Sequence, residues 1–231
     1  MWLVVFIALL IGGGVAYDAA GQPPAQKSAN PTPPAITQPQ NSGAMAALGK
    51  LAVKGRAPRT GYEREQFASG WAVVGDCDVR NHILKRDMTD VQTVSTTDCT
   101  VLRGSLDDPY TAKTIQFTRG AGTSDDVQID HVVALSNAWQ TGAQQLTAAR
   151  RLAFYNDPLN LLAVDGPANQ KKSASDAATW LPSNKTYRCR YVARQIAVKT
   201  DYTLWVTKAE AEAMSRVLSS CPNQALPIVT R

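Results

Sequence analysis

Ile129-Asp130-His131-Val132-Val133 places an acid and an imidazole side by side in an apolar run. Val127 to Val133 reads as a strand. A second short apolar run follows at Asn160-Leu161-Leu162-Ala163-Val164, opened by an asparagine. Gly166-Pro167 then leads into Ala168-Asn169-Gln170-Lys171-Lys172-Ser173, which reads as a helix. Two strands followed by a helix bring Asp130, His131 and Asn169 to one point. Neighbouring residues of a strand face opposite sides, so Asp130 and His131 are expected to do different work. Asp130 and Asn169 offer hard oxygen ligands, which suit one divalent cation, Mg²⁺ first and Mn²⁺ as the alternative. His131 has the ordinary pKa range of a proton acceptor at neutral pH. Taken singly, each residue has a plain reading: a buried histidine, an asparagine capping a turn, exposed helix residues.

Outside this stretch the chain divides by composition. Residues 1–16 are apolar, too short for an ordinary membrane span and without a Lys or Arg at the front. They are expected to be a signal peptide or an uncleaved N-terminal anchor. Residues 17–44 are rich in Pro, Gln and Ala, including Pro23-Pro24 and Pro31-Thr32-Pro33-Pro34, and read as a disordered linker. Residues 45–231 are left as one folded domain, with Ala46 to Val53 a short helical pattern. The chain has 231 residues, 44% of them hydrophobic, and a formal charge of +5, compatible with a polyanionic partner.

Four cysteines, Cys77, Cys99, Cys189 and Cys221, lie behind the leader. Their even number points to two disulfides, and no Cys-x-x-Cys spacing favours zinc. Cys189, Val192, Ala193 and Ile196 follow helical spacing, as do Met214, Val217, Leu218 and Cys221. Thr207-Lys208-Ala209-Glu210 reads as a capping box at the start of the second helix. An antiparallel pair of helices joins Cys189 to Cys221, which leaves Cys77 for Cys99. Val101 to Ser105 and Thr114 to Thr118 read as strands around a turn at Asp107-Asp108-Pro109-Tyr110. Ser136 to Asn156 reads as helical, with Thr147 a cap within it.

The Asp130-His131, Asn160 and Asn169 set resembles the ββα-metal nucleases called HNH endonucleases. Asn169 stands where histidine is more usual. The same asparagine variant, nine residues after the middle asparagine, is found in the HNH domain of RNA-guided CRISPR nucleases. From Gly61 to Cys221 the chain further resembles secreted bacterial HNH-family proteins related to the C-terminal domain of the GmrSD restriction enzyme. The phrases that carry this are Cys77-Asp78-Val79-Arg80-Asn81, Asp108-Pro109-Tyr110-Thr111, Ile129-Asp130-His131-Val132-Val133, Asp176-Ala177-Ala178-Thr179-Trp180-Leu181-Pro182 and Tyr191-Val192-Ala193-Arg194-Gln195.

The resemblance implies an α+β fold: a ββα-metal core, added helices, a small β-hairpin region and two disulfides. It implies a secreted, monomeric endonuclease that cuts DNA with low sequence specificity, RNA being open as a substrate. No small-molecule cofactor is expected, and membrane contact only through an uncleaved leader anchored on the outer face of the membrane. His131 would activate water. Asp130 and Asn169 would hold the cation. Asn160 would bond the backbone of the His131 loop, and Lys172 would touch the phosphate. Arg80 would either bind phosphate or pair with Asp78 or Asp87, and Asp176 is a reserve ligand. Arg190 and Arg194 would lie on a backbone-binding face or a solvated surface, and His82 is expected to be structural. Nothing resembles a separate base-reading module. A non-catalytic nucleic-acid-binding module at the cell surface is the alternative.

Overall fold

Alternating side chains let a two-stranded ribbon serve two cores, and the centre of this fold uses that property. The computed structural model describes residues 43–95 and 98–227. The expectations for residues 1–42 lie outside these described residues.

In chain order the helices are α1 (Ala44–Leu48), α2 (Val79–Asp87), α3 (Leu135–Gln140), α4 (Ala148–Asn156), α5 (Gly166–Lys172), α6 (Arg188–Asp201) and α7 (Lys208–Ser219). The strands are β1 (Val73–Val74), β2 (Cys77–Asp78), β3 (Thr89–Thr93), β4 (Val101–Asp107), β5 (Thr114–Thr118), β6 (Val127–His131) and β7 (Leu161–Asp165). They form three antiparallel sheets, β1-β2, β3-β4-β5 and β6-β7. The fold is therefore α+β, as expected. In the central pair Ile129 lies opposite Ala163, Asp130 opposite Leu162 and His131 opposite Leu161.

One face of that pair, with Val127, Ile129, Leu161 and Ala163, packs with Val79, Ile83 and Leu84 of α2 and with Phe117 of β5. Leu162 and Val164 on the other face join Tyr191, Val192 and Ile196 of α6 and Met214 and Leu218 of α7. Asp130 belongs to the α6 side and His131 to the α2 side. A third cluster, with Phe67, Trp139, Phe154 and Tyr202, closes over α3 and α4.

Local chemistry explains the helix starts. Asp78 caps α2 by accepting from the Asn81 N–H, and Thr147 caps α4 by accepting from the Arg150 N–H. Asp165 caps α5 by accepting from the Ala168 N–H, and Pro167 fits the first turn, where its missing N–H is no loss. Thr207 and Glu210 form the reciprocal capping box of α7. Gly166 is required by close approach, since a Cβ there would overlap the Asp125 carbonyl oxygen. The Gly166 N–H donates to the Asp126 carbonyl, 2.9 Å away, so α5 starts hard against the entry to β6.

Both disulfides are present, Cys77–Cys99 and Cys189–Cys221. The second ties the start of α6 to the segment just after α7. Two expectations need correction. The first helix stops at Leu48 and does not reach Val53. The helical run expected over Ser136–Asn156 is split into α3, a 3-10 turn at Ala143–Gln145, and α4, with Gly142 at φ +128° in the break. The Thr147 cap forces a fresh start there, because its extended backbone cannot sit inside a helix.

Candidate active site

The Asp130 carboxylate is held from two sides. The Tyr110 hydroxyl donates to Oδ2 at 2.5 Å, and Lys172 Nζ donates to Oδ1 at 2.8 Å. Lys172 Nζ also donates to the His131 carbonyl, 2.9 Å away. Tyr110 is locked by edge contacts with Trp180 and Tyr191. Its hydroxyl is pushed well above the usual phenol range, by burial first and then by the Asp130 charge. It therefore remains a donor to that carboxylate at any working pH.

His131 faces the other way, with its ring stacked on Trp71 at 5.7 Å between centroids and 12° between planes. Its Nε2 lies 2.9 Å from the Tyr155 carbonyl. A carbonyl only accepts, so Nε2 carries the hydrogen and Nδ1 keeps its lone pair. Burial pushes the imidazole down to about 4, against the Tyr155 hydrogen bond and the Asp130 charge, which both raise it. The ring is thus a neutral acceptor with a fixed tautomer. Asn160 holds the loop that leaves it. The Asn160 Oδ1 accepts from the Val133 N–H at 2.8 Å, and its carbonyl accepts from the Val132 N–H at 2.8 Å. The Asn160 Nδ2 donates to the Val133 carbonyl at 3.3 Å.

Asp130, His131 and Asn169 line one open cleft of about 300 Å³, together with Arg59, Arg64 and Ser173. The Asn169 Nδ2 donates to Gln128 Oε1 at 2.9 Å, which fixes the amide and leaves its Oδ1 as an acceptor. Among the described residues no group of three or more His, Cys, Asp and Glu forms a metal cage. One carboxylate and one amide oxygen on an open cleft fit a hard cation that keeps most of its water, as Mg²⁺ does.

Several expected residues do other work. Lys172 has no exposed surface and lies in an ion pair, so it does not reach a phosphate in the cleft. The same helical spacing that puts it on Asn169's side carries it one turn deeper, under β6. Arg80 does not line the cleft and pairs with neither Asp78 nor Asp87. Its guanidinium donates to the Ser124 and Val127 carbonyls at 3.4 and 3.2 Å, fastening the entry to β6 onto α2. Asp87 instead pairs with Arg86 at 2.6 Å. Asp176 is paired with Arg56 at 2.6 Å and accepts from the Ala178 N–H, which makes it a turn former. Arg194 spends its Nε and Nη2 on the Pro158, Leu159 and Leu161 carbonyls, so it fastens α6 to the loop before β7, and it does not line the cleft. Arg190 lies apart from the cleft, beside Tyr187 and Asn184. His82 lies 3.0 Å from the Val74 carbonyl at the surface.

Sequence reasoning missed Tyr110, Trp71, Tyr155, Arg59 and Arg64. One signal was readable: Arg56-Ala-Pro-Arg59-Thr-Gly-Tyr62-Glu-Arg64 interleaves basic and aromatic residues ahead of the motif.

The chain matches the family described as GmrSD restriction endonucleases, C-terminal domain, over residues 78–217. A fungal relative from Arthroderma benhamiae, described as an uncharacterized secreted protein, is 39% identical over 193 residues, 83% of this chain and 90% of the relative. The resemblance read from the sequence thus extends beyond bacteria. No solved structure matches the chain. On the family match and the extent of that relative, this chain belongs to the family of GmrSD restriction endonuclease C-terminal domains, a nuclease family.

Proposed function

We propose that the chain is an exported, cation-dependent endonuclease of the HNH type that hydrolyses phosphodiester bonds in DNA with low sequence preference. The observation that carries this is the state of His131. Its Nε2 is committed to the Tyr155 carbonyl, and its neutral ring shares the cleft with Asp130 and Asn169. Hydrolysis needs an acceptor for a proton of the attacking water, and the Nε2 bond to Tyr155 leaves Nδ1 unprotonated to be that acceptor. Asn160 keeps the His131 loop from shifting under load. Tyr110 and Lys172 fix the Asp130 carboxylate, and Gln128 fixes the Asn169 amide. Asp130 and Asn169 are the residues that would hold the cation. When bound, it neutralises charge on the phosphoryl group and on the leaving oxygen. Export is supported by the two disulfides and by the secreted relative.

Plasmid DNA and RNA incubated with the purified chain, with Mg²⁺, Mn²⁺ or EDTA, test the proposal. Scattered nicks in plasmid with Mg²⁺ and none with EDTA are expected. Asn169→Ala should demand more Mg²⁺ for half-maximal nicking, because one oxygen ligand is gone. DNA binding without cleavage in any metal would instead establish the non-catalytic module.

A further inference from the structure

The family match begins at residue 78, yet one wall of the cleft comes from before it. Residues 53–67 hold one short 3-10 turn, Arg64–Gln66, and are otherwise irregular. They are nevertheless fastened along their length. Trp205 Nε1 donates to the Gly55 carbonyl at 3.0 Å, the Ala57 N–H donates to Gln140 at 2.9 Å, and Gln144 Nε2 donates to the Pro58 carbonyl at 2.8 Å. Trp139 Nε1 reaches the Thr60 carbonyl at 3.3 Å, and Arg151 Nε donates to the Gln66 carbonyl at 2.8 Å. The strap is therefore placed before any substrate arrives, and little ordering cost remains at binding.

We infer that this strap is a phosphate clamp, in which Arg59 and Arg64 bind the sugar-phosphate backbone of a polynucleotide on the wall of the cleft that α5 does not supply. The inference rests on the nuclease reading above. Both side chains are exposed and line the same cleft as Asp130 and His131. Among the described residues neither has a carboxylate within ion-pair distance, whereas Arg56 of the same strap is paired with Asp176. Glu63 and Glu65 adjoin Arg64 in the chain but do not line the cleft.

Each guanidinium is instead steadied by an aromatic ring. Arg59 lies 5.1 Å from the Tyr62 centroid, and Arg64 lies 5.1 Å from the Tyr155 centroid while donating to the Tyr155 hydroxyl at 2.9 Å. A ring engages the face of the guanidinium and leaves edge donors for phosphate oxygens; Arg64 spends Nη2 on the Tyr155 hydroxyl and offers its other N–H groups. Gly61 makes the first pairing possible. At φ +74° it sits at the third place of a turn closed by the Tyr62 N–H on the Arg59 carbonyl, which folds Arg59 back over Tyr62. Tyr155 links the clamp to the base, since its carbonyl fixes His131 while its hydroxyl holds Arg64. That sharing assigns Arg64 to the reacting phosphate and Arg59 to a neighbouring one.

The test uses the full chain and a labelled DNA duplex in EDTA, with binding read by anisotropy across a salt series. Arg59→Ala and Arg64→Ala should each weaken binding about tenfold. Each should also flatten the plot of log affinity against log salt by about 0.9. Arg59→Lys and Arg64→Lys should restore the salt slope, which a merely structural role would not do. Arg103→Ala, an exposed arginine on β4, should leave the slope unchanged. In Mg²⁺, Arg59→Ala should act mainly on KM, and Arg64→Ala on kcat as well. Wild-type slopes for both alanine variants overturn the clamp, as does an equal loss in Arg103→Ala. If the wild type never nicks DNA while the two slopes fall as stated, the clamp stands and the nuclease reading fails.

Discussion

Among the described residues two lysines are fully buried, and each meets a carboxylate. Lys172 pairs with Asp130 at 2.8 Å, and Lys199 pairs with Glu210 at 2.9 Å. Removing both charges of a pair from water is costly, so neither is explained by stability alone. Their surroundings separate them. Lys199 lies between α6, α7 and α3, where it also donates to the Trp205 carbonyl at 3.0 Å and to Asn137 Oδ1 at 3.3 Å. Its partner Glu210 belongs to the α7 capping box and does not line the Asp130 cleft. Burial raises the Glu210 carboxyl, while the Lys199 charge pulls it back down. Lys172, by contrast, joins a carboxylate that borders the cleft and the carbonyl of His131, which borders it too. One pair joins two helices, and the other fixes a strand at the border of a cleft. Burial and charge do not distinguish them; what lies on the far side of the carboxylate does.

The largest contrast should come from one substitution on each side. His131→Ala should lower nicking about 10³-fold, the range for loss of a positioned base, while the chain still melts in one cooperative transition. Lys199→Met should do the reverse. It strands a buried carboxylate and should cost about 3–5 kcal/mol of stability, with the rate per folded molecule unchanged. Adding Glu210→Gln should recover most of that loss, since the amide carries no charge and can still cap Thr207. Urea melts and plasmid nicking on the same samples check both sides. A Lys199→Met chain that is stable but inactive would merge the two regions into one functional unit.

The pH dependence of stability sharpens the comparison, because the two regions pull in opposite directions. Native His131 stays neutral down to about 4, whereas the unfolded chain protonates it around the ordinary imidazole value of 6.5. Between those values the unfolded state binds more protons, so lowering the pH destabilises the fold, by about 3 kcal/mol at most. The Glu210 carboxyl is raised above its ordinary value, so its contribution is present below that value and is lost as pH rises. Urea melts in EDTA from pH 7 to 4, for wild type and His131→Gln, isolate the first effect. The wild type should lose stability more steeply as pH falls, and parallel curves would show that His131 is not held neutral.

The sequence made the central ribbon, the helix after it, both disulfides and the α6–α7 pair legible because each is written locally. Alternation places Asp130 and His131 on opposite faces, helical spacing brings Cys189 and Cys221 together, and Thr147 and Thr207 mark helix starts. The His131-Asn160-Asn169 arrangement was legible through its spacing. Partners across long separations were not. Nothing local tells that Lys172 turns inward to Asp130, since lysine is ordinarily a surface residue. Arg80 and Arg194 could be read as phosphate binders because a free arginine and one spent on backbone carbonyls look identical in sequence. Tyr110, which is 20 residues from Asp130, was visible as part of a turn and of a matching phrase, with nothing to show that its hydroxyl meets Asp130.

The smallest effect tests the contrast most directly, and it lies in Tyr110. Tyr110→Phe keeps the ring and its edge contacts with Trp180 and Tyr191 but removes the hydrogen donated to Asp130 Oδ2. A buried carboxylate oxygen then loses its partner, which should cost about 1–2 kcal/mol of stability. If Asp130 is a cation ligand, the same change frees electron density on the oxygen that meets Mg²⁺. Half-saturation should then move to lower Mg²⁺, while maximal nicking falls a few-fold because the carboxylate is less well aimed. Tyr191→Phe is the matched control. It lies in the same aromatic cluster, but its hydroxyl accepts from Gln195 Nε2 at 3.0 Å and has no hydrogen bond to Asp130. It should lose stability by a similar amount and keep the wild-type Mg²⁺ dependence. The measurement is nicking across a Mg²⁺ series for the three chains at equal folded fraction. Should both variants titrate with Mg²⁺ as the wild type does, Asp130 is no ligand. Its pair with Lys172 would then be of the same kind as Lys199 with Glu210, a buried fastening that happens to lie beside a cleft.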